Sequence, residues 1–321
     1  MSNNEHIYAV ARIRAKEVNL LDSSVIEQLI SSNSVESMNR ILVDKGWGDG
    51  SEKLDNILSV ESDKIWSLMR EMFEDMSIFD TLRIEKDFHN LKAAIKSEYA
   101  KVNDNSIYLK NGSISVDEVV DAVKNKNFSN LPDKMADYAL EAYEIMFKTG
   151  DGQLCDMVLD KGCLECMIEL SKKSGNQLLI EYAQMKVVIA DIKIAIRGAK
   201  TGKDRKFFDM ALVPCDKIDI NVLADMAVQG VENIYSYLET TDFKEAVDAI
   251  KTDFAVFECW CDNQIINAIR KEKYTPMTIS PIIAYILARE NEIKTVRILT
   301  VAKRNDLKPE EVKKRMRDMY V

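Results

Sequence analysis

Apolar residues recur at intervals of three and four along nearly the whole chain, and almost nothing interrupts them. Phe88, Leu91, Ile95 and Tyr99 keep that spacing, as do Tyr182, Met185, Ile189, Ile192 and Ile196. Near the end, Ile282, Ile286, Ile293, Val296 and Leu299 share one broad face. Such a period lines one side of an α-helix with apolar groups. Only 11 glycines and 5 prolines punctuate 321 residues, so helices can run long. No period-two alternation bounded by hairpin turns competes with this pattern. The sequence predicts an all-α fold, with a length suited to two or three domains.

Helix ends are marked. Ser280 followed by Pro281 reads as an N-cap and first helical position. A last helix is predicted to start near Pro309, with Glu310 and Glu311 in its first turn and Lys313, Lys314, Arg315 and Arg317 following, an order that suits the helix dipole. Gly46, Gly150, Gly162, Gly175 and Gly198 stand where helical patterns stop and read as C-cap glycines. The polar stretches 103–112 and 197–205 are the expected joints.

A weak internal repeat runs through the chain. Ile41-Leu-Val-Asp-Lys-Gly46 resembles Met157-Val-Leu-Asp-Lys-Gly162. Three amphipathic segments each pair an acid with a following base: Asp87 with Lys92, Asp191 with Arg197, Glu292 with Arg297. These copies predict three related helical bundles, at 1–105, 106–210 and 211–321.

Charge removes whole classes of function. The net charge is −9, which opposes a nucleic-acid grip and electrostatic attachment to anionic lipid. The longest clearly apolar stretch, 282–288, falls far short of the roughly 20 residues a spanning helix needs. Charges mixed into His6 to Lys16 leave no secretion segment at the start. The expected location is cytoplasmic, with any membrane association made through a partner. The six cysteines then read as reduced and mostly buried.

The search for reactive chemistry returns near misses. Gly198-Ala-Lys-Thr-Gly-Lys-Asp204 resembles a phosphate loop, but its spacer is one residue short. Asp204 also stands where a magnesium-binding hydroxyl belongs, and the stretch follows a helix rather than a strand. It reads as a helix-to-helix turn. Cys163-x-x-Cys166 lacks a second ligand pair for zinc and a βαβ setting for redox work, so the thiols read as structural. His89, near Asp87, has no nucleophile or second acid beside it; His6 is the only other histidine. No catalytic residue, cofactor or metal ligand is assigned. Within an acidic chain, Arg197, Lys200, Lys203, Arg205 and Lys206 form a basic cluster. It fits either a solvated turn or a docking surface for an acidic partner.

Ordered motifs carry a resemblance. Tyr8-Ala-Val-Ala-Arg-Ile-Arg-Ala-Lys-Glu17 with Leu20 and Leu21 is similar to the opening Y-x-x-A-R-x-R-x-x-E-x-x-L-L of the C subunits of archaeal and vacuolar ATPases, a family whose eukaryotic members are called d subunits. Asp87-Phe-His-Asn-Leu-Lys92 resembles that family's D-x-x-N-L-K. Pro281-Ile-Ile-Ala-Tyr-Ile-Leu-Ala-Arg-Glu290, with Glu292, Ile293, Val296 and Arg297, resembles its P-x-x-A-Y-x-x-x-R-E-x-E-I-x-x-x-R. The ending through Arg317, Tyr320 and Val321 is similar to its R-x-x-Y-V. The matches span the chain, although 115–262 carries no specific motif.

The resemblance implies three similar helical bundles forming a funnel or wedge. It implies a non-catalytic rotor part of a V-type or A-type rotary ATPase. Such a part joins the central-shaft subunits, of D and F type, to the membrane ring of proteolipid subunits. It passes torque for ATP-coupled proton or sodium transport. The expected placement is peripheral, on the cytoplasmic side. Torque demands stiff packed helices and an interface that does not slip. Arg289 and Glu290 read either as part of an interface or as an internal lock. The basic cluster is expected to line the socket for the shaft. Neither nucleic acid nor a small-molecule substrate is expected. The rival reading is an unrelated α-helical scaffold of solenoid type, which leaves the ordered end motifs unexplained.

Overall fold

Several helices here begin where a polar side chain takes a backbone N–H that has no partner within the helix. Asp22 accepts from Val25 N–H, Ser34 from Ser37, Asn176 from Leu179 and Asp204 from Phe207. Ser115 and Glu118 form a reciprocal capping box. The structure, a computed structural model, describes residues 3–48, 54–275 and 278–321. Regular structure among the described residues is entirely helical.

The first third holds α1 (Asn3–Glu17), α2 (Ser23–Ser31), α3 (Val35–Asp44), α4 (Leu54–Met72) and α5 (Asp80–Ala100). Then come α6 (Val116–Lys124), α7 (Asp133–Thr149), α8 (Gly152–Ser174), α9 (Gln177–Lys200) and α10 (Arg205–Ala211). The rest comprises α11 (Ile220–Gln229), α12 (Val231–Leu238), α13 (Lys244–Thr252), α14 (Phe254–Arg270), α15 (Ser280–Arg304) and α16 (Pro309–Lys313).

The chain divides into two compact units. One joins Met1–Glu74 to Glu245–Val321; the other is Asp75–Lys244. In the first, α15 packs against α1, α3, α4 and α14, while α16 lies on α2. Pro281 to Ala288 of α15 are all buried, so this helix is apolar on every side through its first two turns. Trp47, Trp66, Met38 and Ile57 fill the surrounding core. The two sequence ends meet here. The Tyr320 hydroxyl lies 3.1 Å from Glu17 Oε1. Arg14 holds Glu17 at 2.8 Å and donates to the Glu272 and Lys273 carbonyls at 2.9 and 2.7 Å. Arg317, also buried, donates to Asp262 at 2.9 Å.

In the second unit α8 packs against α5, α7 and α9, and α9 also meets α10, α11 and α12. Two glycines permit these close crossings. A β-carbon at Gly162 would lie 2.5 Å from the Tyr138 ring, and one at Gly198 would lie 2.5 Å from Phe208. Both stand inside helices, so they are packing glycines and not the helix ends the sequence suggested. Gly46, Gly150 and Gly175 do follow helix ends, with φ of 82°, 70° and 64°. The near repeat of Asp-Lys-Gly therefore places one copy at the end of α3 and the other within α8.

The predicted stripe along α9 needs a similar correction. Met185 and Ile189 are half-buried, while Val187 and Val188 between them, and Ala183 before them, are buried. Neighbours on several sides bury more than one face, and a single stripe cannot describe that. Ser280 lies one residue inside α15 rather than capping it, and α16 starts at Pro309 as expected.

Candidate partner-binding surface

The basic cluster occupies the end of α9, a short turn and the start of α10. Arg197 and Lys200 stand in the last turn of α9, where their charge offsets the helix's negative end. The chain turns through Gly202 at φ 65°. Asp204 caps α10 through the Phe207 N–H at 2.9 Å. The carboxylate that sequence placed in a near-miss phosphate loop is thus a helix cap, and Gly198 is helical. Arg197, Lys200, Lys203 and Lys206 are exposed. The Lys203 ammonium lies 5.3 Å from the Phe207 ring centroid. Arg205 departs from the group: its guanidinium bonds Asp209 at 2.7 Å, Asn221 at 3.2 Å and Asp225. It ties α10 to α11.

Arg197 also lines a cleft of about 530 Å³. Phe88, Leu164 and Phe207 supply apolar lining, and Lys161 and Lys193 add positive charge. Sequence reasoning missed both lysines. Lys193 lies four residues before Arg197 and so shares its helix face. Lys161 comes from α8, and no local pattern announces it. Lys92 also lines the cleft, but it pairs with Asp160 at 2.7 Å.

The other candidates have structural settings. His89 is exposed, its Nε2 3.1 Å from the Ile107 carbonyl. The His6 side chain lies outside the described residues. Cys163 and Cys166 are buried on α8; burial pushes the Cys166 thiol up to about 12 and Cys163 well above its ordinary value. The described residues hold no group of three potential metal ligands. Arg289 is an internal lock, but not with Glu290: it reaches Glu61 at 2.5 Å and Glu292, with Trp47 4.8 Å from its guanidinium carbon.

The three acids of the sequence repeat share one setting that sequence did not reveal. Each is a buried carboxylate on a long helix, and each accepts backbone N–H groups from a separate connecting segment. Asp87 on α5 takes the Ser113 and Ile114 N–H groups, both at 3.1 Å, and the Ser113 hydroxyl. Asp191 on α9 takes the Val213 N–H at 3.1 Å. Glu292 on α15 takes the Leu21 N–H. After each segment the chain starts a short helix of nine or ten residues: α6, α11 and α2 respectively. Two amide side chains add grips. Asn90 both donates to and accepts from Leu109, and Gln184 does the same with Asp216. Burial raises all three acids, with Asp191 pushed up to about 8 and Glu292 to about 7.

Comparison with known proteins finds relatives along nearly the whole chain. The family model described as ATP synthase (C/AC39) subunit matches residues 9–315. The C subunit of a V-type sodium ATPase from Enterococcus hirae is 25% identical over 317 residues, covering 96% of this chain and 97% of the relative. The C subunit of an A-type ATP synthase from Methanocaldococcus jannaschii is 21% identical, covering 96% of this chain and 85% of the relative. Its counterpart from Thermococcus kodakarensis is 21% identical, covering 95% and 88%.

Proposed function

This chain belongs to the ATP synthase (C/AC39) subunit family, and from that membership we propose that it is the central-stalk rotor adaptor of a V/A-type rotary ATPase. It joins shaft subunits of D and F type to the proteolipid ring and transmits torque between them. It works as a coupling part without catalysis of its own, at the cytoplasmic face of the membrane. The observation that carries this reading is the near-complete match to relatives that are C subunits of such ATPases, 96% of the chain in two of them. No helix among the described residues is long and apolar enough to cross a membrane, which fits attachment through partners. Packed helices with buried polar clamps supply the stiffness that torque requires.

We place the shaft-facing contact at the α9–α10 turn, with Arg197, Lys200, Lys203 and Lys206 as the contacting cations. Arg205 supports the turn from within. The three bundles at 1–105, 106–210 and 211–321 remain part of this reading. The recurrence of a buried acid, a gripped segment and a short helix supports a threefold repeat, although each acid grips a segment beyond its own bundle's bounds: Asp87 holds Ser113 and Ile114, Asp191 holds Val213 and Glu292 holds Leu21.

Gentle solubilisation of the complex from its native membranes tests the assignment. Shaft and ring subunits should copurify with this chain. Recovery of this chain without either, from membranes whose ATPase is intact, overturns it. Calorimetry with Mg-ATP on the isolated protein should detect no binding, because Gly198 lies within α9 and Asp204 caps α10.

A further inference from the structure

We propose that segment 212–215 is a proton-controlled joint, docked on α9 while Asp191 is neutral and opening locally as Asp191 becomes ionised. The geometry separates this clamp from its two counterparts. Asp87 receives two backbone N–H groups and a hydroxyl, and Arg83 lies close enough to favour its charge. Glu292 receives the Leu21 N–H and the Arg289 guanidinium. Asp191 Oδ1 receives the Val213 N–H, while its equally buried Oδ2 has no hydrogen-bond partner among the described residues. Asp191 is 0% exposed. A charge so placed is far costlier than a neutral carboxyl.

The surroundings do little to offset that cost. α9 packs against α8, α10, α11 and α12. From α8, Lys161 favours the ionised form, but its ammonium is engaged by the Met210 carbonyl at 3.1 Å. On the segment, Cys215 is raised by burial and Asp216 is bound by Gln184. From α10 and α11, Asp209 and Asp225 are both paired with Arg205. On α12, Tyr237 is bonded to Asp219 and Glu232 is exposed. The carboxyl is accordingly pushed up to about 8, with burial the largest cause. Gln184 keeps its hold on Asp216 at 2.8 Å, so opening is confined to the stretch before it. Leu212 and Val213 are buried while docked and reach water when the joint opens.

The linkage fixes the shape of the response. The opened state has an ordinary carboxyl near 3.8, the docked state one near 8. Between those values each pH unit favours opening by up to about tenfold, and above them the effect levels off. Amide hydrogen exchange of the intact protein, corrected for intrinsic exchange, reads this at Val213. Its protection should fall by up to about tenfold per unit between pH 5 and 8. Ile114, on the Asp87 clamp, should fall less. Asp191→Asn keeps an acceptor and cannot ionise, so its Val213 protection should be flat with pH. Equal pH dependence at Val213 and Ile114 in the unaltered protein overturns the proposal, whether or not the variant folds. So does an unchanged slope in a folded Asp191→Asn protein.

Discussion

Arg289 on α15 and Glu61 on α4 meet at 2.5 Å, with side chains only 9% and 3% exposed. Glu292 takes the other side of the guanidinium, and Glu61 also accepts from Gly48 N–H and Lys64 at 2.8 and 2.6 Å. A buried cation shared by two carboxylates holds α4 and α15 in one register. Removing it leaves Glu292 without a cation and Glu61 with Lys64 alone. Arg289→Met should lower stability by about 3–5 kcal/mol, measured by urea unfolding. Adding Glu61→Gln and Glu292→Gln to the same chain should recover much of that loss, since neutral groups need no cation. A loss unchanged by those additions would mean that packing against Trp47, and not charge, dominates.

Alkaline pH should weaken the protein before it unfolds. Glu292 near 7 and Asp191 near 8 both lie above their ordinary values because burial disfavours the ionised form. Raised acids bind protons in the folded state that the unfolded state has already lost. Their contribution is therefore complete below about pH 4 and disappears as pH rises through 7 and 8. Unfolding free energy should fall between pH 5 and 8, apart from the changes contributed by other groups. Asp191→Asn should reduce that slope, which urea titrations at three pH values can read.

Gly112 and Gly175 separate two uses of glycine. A β-carbon at Gly112 would lie 2.2 Å from Asp87 Oδ1, inside the clamp that holds Ser113 and Ile114. Gly112→Ala should cost about 2–4 kcal/mol, because the carboxylate or the segment must move. Gly175 ends α8 at φ 64° with open space around it. There alanine meets only backbone strain, about 1–2 kcal/mol. Similar losses at the two sites would show that the close approach to Asp87 is not what glycine serves.

Much of this architecture was legible because its signals are local. Few chain breakers and a helical period were enough for an all-helical fold, and Pro309 marked its helix. The repeated acids Asp87, Asp191 and Glu292 were visible as a pattern, but their task was not. Each grips a segment that comes from elsewhere in the chain: 26 residues on for Asp87–Ser113, 22 for Asp191–Val213 and 271 back for Glu292–Leu21. Helical periodicity carries no record of such partners. For the same reason Arg289 was paired with its neighbour Glu290 in one reading, when its acids are Glu61 and Glu292. Lys161 belongs to the cleft through helix packing alone.

The basic turn divides into exposed residues and a half-buried one tied to neighbouring side chains. Arg197, Lys200 and Lys203 are exposed, whereas Arg205 is committed to Asp209, Asn221 and Asp225. The C-terminal end of a helix presents carbonyl groups that favour nearby cations, and the proposed shaft contact rests on a partner end of that kind. An exposed ion pair contributes at most about 1 kcal/mol, so single substitutions there are expected to be nearly silent. Changing Arg197, Lys200 and Lys203 together to Glu should weaken binding to the isolated shaft complex at low salt without lowering thermal stability. The loss should shrink at high salt, where screening removes both the original attraction and the new repulsion. Arg205→Ala should do the reverse, loosening α10 from α11 in hydrogen exchange while affinity for the shaft stays nearly constant. Unchanged affinity of the triple variant at low salt would show that the turn is merely solvated. A larger loss from Arg205→Ala than from the triple variant would move the contact toward α10 and α11.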